Sequence, residues 1–124
     1  MQIQAKLRGI RISPKKLRLV TDLVRRLSVV DAERQLIYLN KKGARPILKL
    51  LRAAIANAEN NFKLPKETLR IKHITTNGGS TLHRWRARAH GRAAPIQKKT
   101  SIVQLILEDN AGNAKVNTQM KAKK

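Results

Sequence analysis

The sequence predicts an α+β fold, in which three helices pack on a small antiparallel three-stranded sheet and a long β-hairpin protrudes. Three stretches have the alternation or short apolar run of strands, at residues 2–12, 69–76 and 102–107. Between the first two of them, three segments carry apolar residues at helical spacing. A chain of 124 residues can bury one core, so we expect a single domain over residues 1–110.

The first strand and first helix are indicated by alternation and by a proline. Residues 2–12 alternate loosely between apolar and polar side chains. Ser13 is suited to the N-cap of a helix, and Pro14 is suited to its first position because the missing N–H would have no partner there. The helix is expected to turn an apolar face inward. That face consists of Leu17, Val20, Leu23, Val24 and Leu27.

A second helix is predicted from the spacing of Ser28 and Asp31, which fits a capping box. We expect it to end near residues 41–43, because the glycine at position 43 is a natural stop. Its predicted inward residues are Ala32, Leu36 and Leu39, with Tyr38 as a further candidate.

The third helix has the clearest periodicity, and Pro46 lies within its first turn, where proline costs little. Its predicted core face consists of Ile47, Leu48, Leu51, Ala54, Ile55 and Ala58. Three small residues, Ala53, Ala56 and Asn57, are expected to let a neighbouring element approach closely. Phe62 is expected to fill the edge of the core.

A hairpin is predicted at residues 77–100, because this basic, apolar-poor stretch lies between two strands. Residues 69–76, in which Leu69, Ile71 and His73 alternate with other residues, are expected to pair with residues 100–107. About twelve residues each way at ~3.3 Å per residue gives a reach on the order of 40 Å. Residues 111–124 are polar and basic, so we expect a disordered tail.

The charge of the chain requires a polyanionic partner. Lys and Arg number 28 against 7 Asp and Glu, a formal charge of +21. Nucleic acid fits best, because binding to phosphates releases counterions. A membrane surface fits less well, because the charge is not confined to one amphipathic helix. Without an apolar leader or a long apolar run, the chain is expected to be an unprocessed cytoplasmic or organelle-encoded protein.

Enzyme chemistry, cofactors, metals and small-molecule substrates find no support in the sequence. Cysteine is absent, so thiolate chemistry and cysteine-based zinc sites are excluded. His73, His83 and His90 have no spacing typical of a metal site. No phosphate-binding glycine loop occurs, and the acidic residues are scattered, so no carboxylate pair can be assigned to acid–base work.

Candidate binding residues cluster in the hairpin. Arg84, Arg86 and Arg88 alternate with other residues, so a strand would point them to one side. Arginine is favoured here because its planar fork binds phosphate with two hydrogen bonds. Trp85 has two interpretations: it packs the base of the hairpin onto the body, or it stacks on an RNA base. The other hairpin candidates are Arg92, Lys98 and Lys99.

The first helix contributes a second candidate surface. Its cations are Lys15, Lys16, Arg18 and Arg25, and Asp22 is the only acid nearby. Such a face is commonly just solvated helix surface. Here the scarcity of counter-charges favours contact with nucleic acid.

Three motifs resemble a known family, the bacterial-type large-subunit ribosomal protein twenty-two. The first helix resembles the family's through the run from Ser13 to Leu23, and the third through residues 53–61, apart from Asn60 where histidine is common. The resemblance covers roughly residues 5–109. The family usually has a histidine where this chain has Ile102, and a basic or polar residue in place of Pro95. The strongest match is Ala89-x-Gly91-Arg92-Ala93-x-x-Ile96-x-Lys98-Lys99-Thr100-Ser101.

The resemblance implies a structural role in the large ribosomal subunit of a bacterial cytoplasm or an organelle. It implies binding to large-subunit rRNA, contacts with neighbouring ribosomal proteins and a part in subunit assembly. The hairpin would reach the wall of the polypeptide exit tunnel and contact the nascent polypeptide. The residues implied at its tip are Arg88, Ala89, His90, Gly91 and Arg92. The alternative function is that of a DNA-compacting architectural protein.

Overall fold

The computed structural model describes residues 2–109. It confirms the predicted α+β fold of three helices, an antiparallel three-stranded sheet and a hairpin. The predicted tail at residues 111–124 lies outside the described residues. Short 3-10 turns occupy Lys66–Thr68 and Ala89–Gly91. The main elements are β1 (Gln2–Ile10), α1 (Pro14–Val24), α2 (Val29–Tyr38), α3 (Ala44–Asn61), β2 (Leu69–Gly78), β3 (Leu82–Ala87), β4 (Ala93–Lys98) and β5 (Ser101–Asp109).

The three-stranded sheet has β5 at its centre, between β1 and β2. Both pairings are antiparallel, and Leu107 lies opposite Ile3 on β1 and Ile71 on β2. The predicted pairing of residues 69–76 with 100–107 is therefore confirmed. Along β5 every second residue from Ser101 to Leu107 is buried, as expected for a sheet with one face on the core.

The core is aliphatic and lies between this sheet and the helices. α3 packs on β1 and β5, α1 packs on β2, and α2 packs on α3. The predicted core face of α3 is confirmed, with Leu48 half-buried at its margin. Buried residues spaced three and four apart on the helices thus pack against buried residues spaced two apart on the strands.

A bulge in β2 changes which of its residues face the core. The register with β5 shifts between Ile71 and His73. An extra residue reverses the alternation, so Ile74 is buried and His73 is exposed. The predicted alternation of Leu69, Ile71 and His73 on one face therefore holds for the first two residues only.

In α1 the predicted inward position of Leu23 is wrong. Its side chain is 52% exposed, whereas Thr21 is fully buried. The reason is angular: positions 17, 20, 21 and 24 form one stripe at 100° per residue, and position 23 lies outside it. Ser13 is the N-cap residue, but its side chain makes no capping hydrogen bond.

The second helix ends earlier than predicted, at Tyr38, and the Tyr38 side chain is 85% exposed. Its predicted N-cap is confirmed, since Ser28 Oγ accepts a hydrogen bond from the backbone N–H of Asp31 at 3.3 Å. Gly43 does not stop α2. It is the buried N-cap of α3, and a Cβ there would lie 2.9 Å from Leu17 Cδ1.

Two further predictions about the third helix are wrong. Ala53 and Ala56 are exposed and Asn57 is half-buried, and the small core residues are instead Ala54 and Ala58. Phe62 is also exposed, and Leu64 packs against the core there. The chain turns at Lys63, which has a positive φ of 54°, and this turn brings Leu64 back to the body.

The hairpin is a separate two-stranded ribbon of β3 and β4, with Leu82 opposite Lys98 and Ala87 opposite Ala93. At its tip the Arg88 N–H donates to the carbonyl of Arg92 at 2.7 Å. His90 has a left-handed backbone with φ 61°. From Leu82 to Lys99 every side chain is exposed or half-buried, so the ribbon contributes nothing to the core.

Candidate nucleic-acid interface

One face of the hairpin carries a row of arginines, hereafter the arginine face (Arg84, Arg86 and Arg88). Arg84 and Arg86 lie opposite Ile96 and Ala94 on β4. The backbone of Arg88 is extended (φ −123°, ψ 175°), so the alternation continues to it. All three arginines are exposed, whereas Ala94 and Ile96 are half-buried, which fits aliphatic arginine stems lying across them.

The opposite face of the hairpin carries Trp85, which lies across from Pro95. The indole is 71% exposed. The interpretation in which Trp85 packs the hairpin onto the body is therefore wrong. The aromatic face is free to stack on a planar group brought from outside.

Two of the four cations predicted on the first helix bind groups of the protein itself. Both Nε and Nη2 of Arg18 donate to the carbonyl oxygen of Thr76 at 3.3 Å. Arg25 Nη2 lies 3.0 Å from Asp22 Oδ1. Lys15 and Lys16 are exposed at the start of the helix. The cations of α1 that point at solvent without a partner are thus concentrated in its first turn.

A basic cleft at the root of the hairpin was not predicted from the sequence. This root cleft, of about 230 Å³, is lined by Arg11, Lys16, Lys42 and Lys99 among others. A neighbouring cavity of about 330 Å³ is lined by Arg11, Lys98 and Lys99. The cations come from the connection after β1, from α1, from the loop before α3 and from the hairpin. No local spacing links them, so only the fold reveals the cluster.

Opposite charges are separated along the molecule. Glu108 pairs with Arg70 at 2.7 Å and with Lys72 at 3.9 Å, at the end of the sheet farthest from the hairpin. No acidic residue occurs between Thr68 and Leu107. The hairpin and its root are therefore uniformly cationic, and little within the protein offsets their field.

Glu33 forms a second acidic centre away from the hairpin. Its carboxylate accepts hydrogen bonds from Arg52 and from Lys66. The hydrogen bond from Lys66, followed by that from Arg52 and the two positive charges, holds the pKa of Glu33 below its usual value despite partial burial. This cluster links α2, α3 and the 3-10 turn before β2.

Two other kinds of site are missing from the described part of the chain. Residues 2–109 contain no cluster of three or more histidine, aspartate or glutamate side chains that could hold a metal ion. No helix within the same range is both long and apolar enough to cross a membrane.

The fold and these surfaces define a class: a small basic α+β protein that presents a cationic two-stranded ribbon outside its core. The family model described as Ribosomal protein L22p/L17e matches residues 5–108. The large ribosomal subunit protein uL22 of Mycoplasma mycoides subsp. mycoides is 50% identical over 109 residues, covering 88% of this chain and 98% of that protein. Its counterpart in Mesoplasma florum is 50% identical over 109 residues, with coverage of 88% and 97%. That of Clostridium novyi is 44% identical over 111 residues, with coverage of 90% and 100%.

The chain belongs to the ribosomal protein L22p/L17e family. Membership confirms the predicted family and a structural, non-enzymatic role in the large ribosomal subunit. The relatives named above are bacterial, which agrees with the predicted location in cytoplasmic ribosomes.

Proposed function

We propose that this protein binds large-subunit rRNA through the arginine face and the root cleft, assists subunit assembly, and lines the polypeptide exit tunnel with its hairpin tip. The observation that carries the proposal is the separation of charge. The acidic residues that form ion pairs in residues 2–109 lie on the body, whereas all the charged residues of the projecting ribbon are cationic. Burying such a ribbon among phosphates supplies the missing counter-charge.

The residues proposed to contact rRNA fall into three groups. The arginine face and Trp85 lie on the ribbon, and Arg92 lies at its tip. Lys98 and Lys99 lead into the root cleft. The start of α1 adds its lysines, and Arg25 adds a partly neutralised charge beside Asp22. We add two residues of the root cleft, Arg11 and Lys42, and leave out the predicted Arg18, because its guanidinium binds the Thr76 carbonyl.

Recognition in this proposal depends on phosphate and on RNA shape. The deep major groove of an A-form helix is closed to side chains, whereas an exposed guanidinium group can bind a phosphate with two hydrogen bonds. The proposed cationic residues are spread over the ribbon, the root cleft and the start of α1, so one protein can hold several RNA segments together. This property supports the proposed role in assembly. The proposed RNA-binding domain spans residues 1–110.

The proposed contact with the nascent polypeptide involves the tip, Arg88–Arg92. Its side chains are all exposed, and Ala89 and Gly91 are small. A small, basic tip suits a narrow passage between RNA walls. Neighbouring ribosomal proteins are the other proposed partners, and the body offers exposed apolar side chains such as Leu19 and Ile37 for them.

The salt dependence of binding tests the arginine face. We expect the triple variant Arg84→Ala, Arg86→Ala, Arg88→Ala to keep a folded body, because the ribbon contributes nothing to the core. The slope of log affinity against log salt should become shallower by up to ~0.9 per lost phosphate contact on a duplex. Filter binding to large-subunit rRNA over a salt series measures this slope.

A charge-matched control separates local contact from net charge. Lys6, Arg34 and Lys49 are exposed on β1, α2 and α3 and form none of the ion pairs described above. Replacing all three by alanine removes the same charge and should leave the slope close to that of the parent. Equal slopes for the two triple variants would contradict the proposed face. Preference for duplex DNA over rRNA at fixed salt would favour an architectural DNA-binding protein.

A further inference from the structure

We propose that a buried cluster of hydroxyl groups sets the direction in which the hairpin leaves the body, and that Arg18 is a positioning residue of this cluster. The cluster, hereafter the hydroxyl joint, consists of Thr21, Thr76, Thr100 and Ser101. This inference concerns the geometry of the free protein. Only its consequence for RNA rests on the proposed function.

The location of buried polar side chains points to the joint. Among residues 2–109 the buried polar or charged residues are these four, and the rest of the core is apolar. They lie where β2 and β5 leave the sheet, at the pair Gly78 and Ser101. A buried hydroxyl costs free energy unless it is hydrogen-bonded, and valine would fill a threonine site without that requirement. Their concentration at the root of the hairpin therefore indicates that their hydrogen bonds orient the hairpin.

Three hydrogen bonds made by hydroxyls of the joint fix the root of the hairpin. Ser101 Oγ donates to the carbonyl of Ile12 in the connection between β1 and α1. Thr100 Oγ1 donates to the carbonyl of Ser80 on the opposite arm. Thr76 Oγ1 donates to Thr21 Oγ1 on α1 at 3.4 Å. The bonds of Ser101 and Thr76 thus tie the root to the body, and the bond of Thr100 joins the two arms of the hairpin.

Arg18 adds a fourth constraint at the same point. β2 is an edge strand of the three-stranded sheet, and the isolated bridge on its outer edge, between Ser28 and Arg70, lies at the end away from the hairpin. The guanidinium of Arg18 donates from two nitrogens to the carbonyl of Thr76, two residues before β2 ends at Gly78. Thr21 Oγ1 in turn donates to the Arg18 carbonyl at 3.1 Å. Side chains of α1 therefore hold β2 at both the hydroxyl and the carbonyl of Thr76.

The backbone at the root is shaped to fit the joint. The N–H of Gly79 donates to the carbonyl of Thr100 at 2.9 Å. A Cβ at position 79 would lie 2.6 Å from Thr100 Oγ1, well inside van der Waals contact. Glycine at this position lets the Thr100 hydroxyl lie against the opposite arm. Beyond the joint, β3 and β4 pair only with each other.

Distance measurement between paired spin labels tests the joint directly. The chain has no cysteine, so Glu59→Cys on α3 and His83→Cys at the base of β3 give a doubly labelled protein in which both sites are exposed. In this background we expect a single distance distribution that is narrower than in any variant that breaks the joint. Adding Thr76→Val, which keeps the shape but removes the donor, should broaden the distribution and shift its mean. Thr75→Val is the matched control, because Thr75 alternates to the other face of β2, and it should change neither.

Arg18→Lys provides a second, exposed variant that leaves the core intact. It keeps the charge but loses the planar fork, so the distribution should broaden as it does for Thr76→Val. Thr100→Ser keeps the hydroxyl and should keep the narrow distribution, whereas Thr100→Val should not. Melting curves establish that each variant is folded. Unchanged distributions for folded Thr76→Val and Arg18→Lys would overturn the proposal.

Binding of the same labelled proteins to large-subunit rRNA separates positioning from direct contact. A positioning role predicts that Arg18→Lys loses affinity together with its narrow distribution. A direct contact alone predicts lost affinity with the narrow distribution unchanged, which would contradict the positioning role. If the parent protein does not bind rRNA, the proposed function fails while the distance measurement still decides on the joint.

Discussion

At the scale of single residues, Glu33 shows how one carboxylate can hold three segments together. It lies on α2, and its oxygens accept hydrogen bonds from Arg52 on α3 and from Lys66 in the 3-10 turn before β2. Its side chain is only 17% exposed. Partial burial weakens solvent screening, so these pairs contribute more than exposed surface pairs do.

The lowered pKa of Glu33 makes this contribution depend on pH. Because the folded pKa lies below the ordinary value of 4.5, the folded state binds fewer protons than the unfolded state between the two pKa values. The stabilisation is complete above 4.5 and is lost as the pH falls through the folded pKa. We therefore expect Glu33→Gln to lower the free energy of unfolding at neutral pH and to match the parent at the acid end.

Urea unfolding at a series of pH values measures this difference. Glu59→Gln is the control, because Glu59 is an exposed glutamate on α3 that forms none of the described ion pairs. It should leave the free energy of unfolding nearly unchanged at every pH. A difference between Glu33→Gln and the parent that persists unchanged into acid would contradict this role of Glu33.

Residue-level prediction succeeded where the partner was close in sequence. The N-cap at Ser28 depends on a residue three positions away, so the sequence indicates it directly. The hydrogen bond from Arg18 spans 58 residues. A cation on a helix surface looks the same in sequence whether it faces phosphate or a carbonyl of its own chain. The role of Arg18 could therefore not be predicted.

At the scale of elements, α3 supports the body, and Leu51 tests its packing. The side chain of Leu51 is 1% exposed within the core. Leu51→Ala should lower the free energy of unfolding by roughly 2–5 kcal/mol, through lost burial and the cavity left behind. Denaturant unfolding followed by far-ultraviolet circular dichroism measures the change.

The same chemical change on α1 provides the comparison. Leu23 is half exposed, so Leu23→Ala should cost far less than Leu51→Ala. Similar losses for the two variants would show that the inward face of one of these helices is misassigned.

Prediction of the elements failed mainly at points where the chain departs from regular geometry. The helical spacing of α3 identified its core face, because in a regular helix one buried position determines which other positions face the core. The bulge in β2 inserts one residue without a sequence signal, and the inward side switches from His73 to Ile74. A glycine at position 43 is suited both to the end of a helix and to a close contact between elements. Its close packing against Leu17 shows that the second role applies.

At the scale of the whole molecule, the core and the ribbon are energetically separate. The body encloses the apolar core, whereas β3 and β4 form a two-stranded ladder with exposed residues on both faces. An isolated ribbon of this kind is marginally stable in water. The fold class and the hairpin were predictable because this division is already present in the distribution of apolar and basic residues.

Hydrogen exchange of the free protein tests this division. Backbone amides of β3 and β4 should exchange quickly. Those of β5, which is paired on both sides, should exchange slowly, through global unfolding. Mass spectrometry after peptide digestion resolves the two regions. Equal protection of ribbon and β5 in the free protein would contradict the separation. Added rRNA should slow exchange in the ribbon if the proposed function holds.

The central position of β5 has a consequence for how the protein is made. Gln2 pairs with Glu108, so the first and last described strands are neighbours. Ribosomes synthesise the N-terminal part first, and contacts between distant residues form slowly. Until β5 is synthesised, β1 and β2 share no neighbour and the sheet cannot close. The cationic ribbon is thus complete in the growing chain before the strand that completes the body.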